Sequence, residues 1–201
     1  MVKRPGRPTG LPYFVSGTSS GLSRSGDTMQ KTLKSKRLVL RPVAPVDADW
    51  LVDLWSLPEV HRNVASIPAS PDKDFVLRRI HSGNEGEEAF TDICRMIELD
   101  EKRAGMISLN RTSIVDAFGL GYSLHPEFSG QGIMTEAAQT LLNWSDGFVA
   151  PKYYISGHFT DNPASGSVLR KLGFLPCWRA PVYSIGRDER VDHLYMSRLI
   201  G

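Results

Sequence analysis

Two glycines set the first chemical question in this 201-residue chain. In Leu120–Ala137, LGYSLHPEFSGQGIMTEA, a run that alternates like a strand meets Pro126, passes Gly130 and Gly132, and continues at helical spacing. Glycine lets backbone N–H groups come close to a ligand with no side chain in the way. A helix starting near Gly132 adds its unpaired N–H groups and the positive end of its dipole. Together they form an anion cradle suited to a diphosphate, with Thr135 offering a hydroxyl and Glu136 suiting the helix dipole. A Walker A loop is excluded because no lysine follows Gly132, and two glycines fall short of the Rossmann fingerprint. On this loop alone, a tight turn without a ligand fits equally well. The five histidines are scattered with no metal-ligand pattern, so no metal is expected. Cys94 and Cys177 are too few for a disulfide framework and read as reduced core residues.

The elements around that loop follow from periodicity. Arg37–Val43 alternates and reads as a strand; Val46–Ser56, bracketed by Pro45 and Pro58, reads as a helix with Ala48, Leu51, Leu54 and Trp55 inward. Asp72–His81 is a weaker helix, followed by strands at Phe90–Leu99, Ala104–Arg111 and Ala117–His125, the first two joined by a turn at Asp100–Arg103. Then come a helix at Thr135–Phe148, a strand at Tyr153–His158, a helix at Pro163–Leu172 and a strand at Val191–Leu199. The second of those helices has Asn162 as its cap, Pro163 in its first position and Gly173 as its stop. This is one mixed α/β domain over residues 31–201.

Residues 1–30 are rich in Gly, Pro and Ser without periodicity and read as a disordered extension, with Met29 a candidate natural start. A transit peptide is the lesser reading there, since glycine and proline oppose an amphipathic helix. The extension carries +3 while the rest of the chain is −1, so the overall +2 does not describe a basic body. That argues against nucleic acid as a partner. No apolar run approaches a membrane span, and the reduced cysteines point to a cytoplasmic protein.

Five segments in order, RLVLRP, WSLPEV, GYSLHPEFSGQGIMTEA, DNPASGSVLRKLGF and VDHLYMSRL, make the chain resemble the GNAT superfamily of N-acetyltransferases, in its RimJ/RimL-like branch, across Lys34–Leu199. The resemblance implies a central, mostly antiparallel twisted sheet flanked by helices, with a V-shaped split that admits acetyl-CoA. It implies diphosphate contacts at Ser129, Gly130, Gln131, Gly132, Ile133, Met134 and Thr135. The pantetheine arm would pair with backbone near Leu124, where an N–H stabilises the oxyanion. Asn162 would meet the cofactor arm and Ser165 the sulfur. The family loop usually opens with Gln or Arg and often ends with Gly or Ala, whereas this chain has Ser129 and Met134.

The implied reaction is attack of a neutral amine on acetyl-CoA, which needs a proton acceptor and a donor to the leaving thiolate. The family's common acidic position is Gly119 here, and a tyrosine acid found in some relatives is Leu169. His158 is then the candidate base, with Ser165 as acid. His125, beside the loop, is either a phosphate contact or surface. The resemblance puts His61 and Asn63 in the helical region that roofs the acceptor, with plain surface as the alternative, and has Asp192 either face the acceptor or only pair with arginine; Trp178 and Tyr183, after the strand around Cys177, are candidates to line the acceptor pocket. A protein N-terminal α-amine is the implied acceptor class; small amines such as polyamines, antibiotics or amino acids stay open. Rival readings are a non-catalytic acyl-CoA-binding domain and a nucleotide-phosphate binder. The state expected is monomer or homodimer.

Overall fold

The computed structural model describes residues 31–200. The expected extension over residues 1–30 lies outside the described residues. Eight strands form one sheet in the order β1-β2-β3-β4-β5-β6-β8-β7. Strands β1 (Leu33–Lys34) and β2 (Leu38–Pro42) lead into α1 (Ala48–Ser56), α2 (Pro58–His61) and α3 (Lys73–Glu88). The chain returns through β3 (Asp92–Leu99), β4 (Lys102–Arg111) and β5 (Ala117–Leu124) to α4 (Ile133–Phe148). It closes with β6 (Tyr153–Phe159), α5 (Pro163–Lys171), β7 (Leu175–Ser184) and β8 (Glu189–Leu199). All neighbours are antiparallel except β5 and β6.

Alternation along the strands separates two cores. One face packs Leu38, Ile107, Phe118, Leu120 and Tyr154 under α4 and α5. The other packs Cys94 and Met96 under α1 and α3. Two readings of the sequence are corrected, and the strand around Cys177 gains its bounds. Helix α3 runs seven residues past His81, because Gly83 and Gly86 let it lie against Cys94 and Asp92. Leu175–Ser184 is a strand despite Pro176 and Pro181, which is tolerated because β7 is the sheet edge. Cys177 is exposed, unlike buried Cys94, and its sulfur lies 3.0 Å from Ser197 Oγ.

Asp47, fully buried ahead of α1, holds the β2–α1 corner. Its carboxylate accepts from Arg41 Nη1 and Nη2 (2.7 and 2.8 Å), Arg103 Nε (2.8 Å) and the Ala44 N–H (2.9 Å). Burial alone would raise its pKa, but these donors outweigh it and hold the carboxyl below the usual range. A depressed folded pKa stabilises above the unfolded value and is lost as pH falls through the folded one. Urea titrations from pH 7 to 2 should show stability falling below about pH 4. Asp47→Asn should be less stable at pH 7 and lose less on acidification; an unchanged acid limb would remove Asp47 from that role.

Candidate active site

Strands β5 and β6 run parallel but pair only through Ala117–Gly119 and Tyr153–Ile155. Beyond Gly119 they part. The β4–β5 register, with the His125 N–H on the Ala104 carbonyl at 2.8 Å, places 104/125, 106/123 and 108/121 as the hydrogen-bonded pairs. The backbone groups of Leu120, Tyr122 and Leu124 therefore point away from β4, into the split. Ser156 Oγ donates to the Leu120 carbonyl at 2.8 Å, which leaves the Tyr122 and Leu124 amides with no strand to pair with. On the far side, the Thr160 N–H on the Asp192 carbonyl sets the opposite phase for β6 and turns the Gly157 backbone into the split.

The glycine loop opens at one end of this split. Gly130 and Gly132 have φ of +76° and +75°, a left-handed conformation that is unfavourable for residues with a Cβ. Gly132 is the cap of α4. The side chains of Ile133 and Met134 are buried, so these residues present only N–H groups to the loop side, together with Thr135. A Cβ on Gly130 would meet nothing within 4 Å. The space a diphosphate needs is thus open, and the donors around it fit the group.

Two cations that the sequence did not single out border the loop. Arg37 donates Nη2 to the Gln131 carbonyl (3.2 Å) and pairs through Nε with Glu136 (2.7 Å), which also accepts from Ser35 Oγ (2.7 Å). Lys171 joins Gly132, Thr135, Glu136, Gln139 and Thr140 around a shallow depression. Ser129 and Gln131 are exposed; the Gln131 amide donates to the Glu127 carbonyl at 2.9 Å. His125 accepts the Glu127 N–H on Nδ1 at 3.3 Å and caps the turn before the loop.

On the α4/α5 face, Tyr122 reaches across the split to α5. Ser165 Oγ donates to the Tyr122 hydroxyl at 2.8 Å, and that hydroxyl lies 3.2 Å from the Ser165 carbonyl. Burial pushes the phenol up to about 12, although the serine bond acts in the opposite direction. Asn162 Oδ1 accepts the Ser165 N–H at 3.2 Å, as a helix cap does. His158 is on this same face, buried: its Nδ1 lies 2.8 Å from the Phe159 carbonyl, and Nε2 has no partner and abuts Gly166.

On the opposite face β5 and β6 carry Gly119, Gly121 and Gly157, and the His193 ring lies over Gly157. One wall is Trp55, whose indole N–H donates to Ser123 Oγ at 3.1 Å, with the Arg79 guanidinium 5.7 Å from its ring centre. The other is an aromatic cluster on β7 and β8: Trp178 stacks on Tyr195 at 4.6 Å, and His193 meets Tyr195 edge-on at 4.5 Å. Asp192 faces Arg179 at 3.8 Å. The β7–β8 tip docks on the loop after α2: the Ile185 N–H bonds the Ala65 carbonyl and Arg187 Nε the Arg62 carbonyl. Arg187 also pairs with Asp161 at 2.6 Å and stacks over Phe159. His61 is buried below that tip with Nδ1 unpartnered, Asn63 bonds the Glu59 carbonyl, and Tyr183 is bonded to Asp188.

A family model described as Acetyltransferase (GNAT) domain matches residues 37–175. The fold is similar to RimL, a ribosomal L7/L12 alpha-N-protein acetyltransferase solved with coenzyme A, at 19% identity and TM-score 0.75, over 84% of this chain and 98% of that one. It is also similar to the Salmonella typhimurium acetyl transferase described as modifying the N-terminal serine of L7/L12 (20% identity, TM-score 0.73, 83% and 97% covered). The microcin C7 self-immunity acetyltransferase MccE, solved with acetyl-CoA and AMP, superposes at TM-score 0.72 (19% identity, 83% and 94% covered). Among curated proteins, none matches in sequence. Among the described residues, no helix is long and apolar enough to cross a membrane and no cluster is suited to a metal.

Proposed function

This chain belongs to the GNAT acetyltransferase family, and from that premise we propose that it transfers the acetyl group of acetyl-CoA to a primary amine, with a protein N-terminal α-amine as the acceptor class. The observation that carries this reading is the pair of unpartnered amides, Tyr122 and Leu124, facing a split that the glycine loop opens. Pantetheine amides complete the missing strand pairing there. Donors from residues 130–135 hold the diphosphate, and Arg37 and Lys171 supply positive charge beside them.

In the reaction the amine lone pair attacks the thioester carbon, and the negative charge that develops on its oxygen meets the Leu124 N–H. Collapse expels the CoA thiolate on the α5 side, where Ser165 Oγ turns its hydrogen from Tyr122 to the sulfur and is reprotonated from solvent. Tyr122 orients that hydroxyl, and its phenol stays protonated at neutral pH. Asn162 fixes the first turn of α5 through its cap bond. His158 supports the same turn through its contact with Gly166; its side of the sheet is that of the leaving thiolate rather than of the arriving amine.

Calorimetry with acetyl-CoA, CoA and ATP, followed by assays on free-N-terminus peptides and small amines, tests the reading. Binding of both CoA forms but not ATP, with turnover, is expected. Binding without turnover on any amine would leave an acyl-CoA-binding domain, and ATP competing with CoA a nucleotide binder. Within the reading, Ser165→Ala should lower kcat roughly a hundredfold and Tyr122→Phe about tenfold, each with the KM for acetyl-CoA little changed. If Tyr122 acts through Ser165, adding Y122F to S165A should cost almost nothing further; full additivity would separate the two.

A further inference from the structure

His193 is the titratable side chain that this site leaves unexplained. Its imidazole lies so close over Gly157 that a Cβ there would collide with it. The β6–β8 register sets Phe159 opposite His193 and Gly157 opposite Tyr195. Because Gly119 pairs with Ile155, and alternate residues share a face, His193 stands on the face of Gly119, Gly121 and Gly157. That is the face opposite Ser165 and Tyr122. The ring is held edge-on by Phe159 at 5.6 Å and by Tyr195 at 4.5 Å. Neither of its nitrogens has a hydrogen bond among the described residues, and Nδ1 is buried without a partner.

We infer that His193 takes the proton of the attacking amine. This rests on the acetyltransfer reading above. As the C–N bond forms, the carbonyl π electrons move to oxygen; the nitrogen's extra proton passes to the free imidazole nitrogen. The C–S bond then breaks, the thiolate takes the Ser165 hydroxyl proton as Ser165 takes one from solvent, and the imidazolium releases its proton to solvent at the half-exposed mouth.

The surroundings set the basicity of the ring. Burial first, and the neighbouring His158 second, lower the His193 pKa to about 4, with Asp192 pulling the other way. Arg179, beside its β7 register partner Ala180, is engaged with Asp192. The ring is neutral at physiological pH but weakly basic. It is too weak to deprotonate an ammonium before attack, so the amine enters in its neutral form. An α-amine, with pKa about 7.7–8.0, is roughly one-tenth neutral at pH 7. Once the neutral amine has attacked, its nitrogen is becoming an amide, and a weak base suffices.

The test uses one short peptide with a free N-terminus as acceptor, and full-length protein. His193→Ala and His193→Gln should bind acetyl-CoA within threefold of wild type by calorimetry and lose about a hundredfold in kcat. Added imidazole should restore H193A but not H193Q, which fills the space. Turnover of folded variants within threefold of wild type, or a folded H193A that imidazole does not restore, would overturn the proton role. A wild type that binds acetyl-CoA but acetylates nothing would instead sink the acetyltransfer reading on which that role rests.

Discussion

Gly132→Val should weaken acetyl-CoA binding about a hundredfold, about 3 kcal/mol at 1.4 kcal/mol per tenfold. Gly132 caps α4 with φ +75° and ψ 4°. A residue with a Cβ in that conformation is strained by about 1–2 kcal/mol, and a β-branched one more so. The chain relieves the strain by rotating the peptide plane, which turns the first α4 amides away from the diphosphate. A Cβ at Gly132 would also stand 3.7 Å from Arg37 Nη2, the guanidinium that borders the loop. Gly130→Ala carries similar strain but sits outside the helix, so its loss should be nearer tenfold. Calorimetric titration of both variants, with thermal melts to show that they fold, is the measurement. An affinity for G132V equal to wild type would remove the loop as the diphosphate cradle.

The largest stability effect belongs to a pair far from the chemistry. Arg95 is fully buried on β3, and Glu87, 5% exposed, ends α3 above it. They meet in a bidentate arrangement, 2.9 Å at each contact, with the Trp144 ring 5.8 Å from the guanidinium carbon. Glu87→Ala leaves a buried cation without its counter-charge, at a cost of about 3–5 kcal/mol. For a domain of this size the melting temperature should fall by about 10 °C. Arg95→Met with Glu87→Leu removes both charges and should be much less destabilised than either single change, because apolar replacement of a buried pair is often close to neutral. Urea unfolding of the four proteins checks both statements, and additive losses would mean that the charges do not act as a pair.

Local features were legible because neighbouring residues encode them. The helix after Gly132, the Asn162 cap, the Pro163 start and most strands depend on spacing and on backbone preferences within a few positions. The same holds for the cradle, whose donors are consecutive amides. Glycines were the exception inside α3: Gly83 and Gly86 lower helix propensity, and only their packing on Cys94 and Asp92 restores the helix. The extent of the strand around Cys177, Leu175–Ser184, was obscured by two prolines that its edge position permits.

By itself, then, the order of residues determined a mixed α/β chain with a glycine turn leading into a helix, and its resemblance to one enzyme family named the reaction. Tertiary structure alone decided which groups share a face and which meet across the chain. Ser165 and Tyr122 are 43 residues apart, and Arg37 and Glu136 are 99. His158 on β6 and His193 on the neighbouring β8 differ by one step in register, and in a pleated sheet one step exchanges the faces. Periodicity reports that a strand alternates, but not which of its sides lies under α4 and α5. That choice is made by the helices that cover each face, and they come from distant parts of the chain.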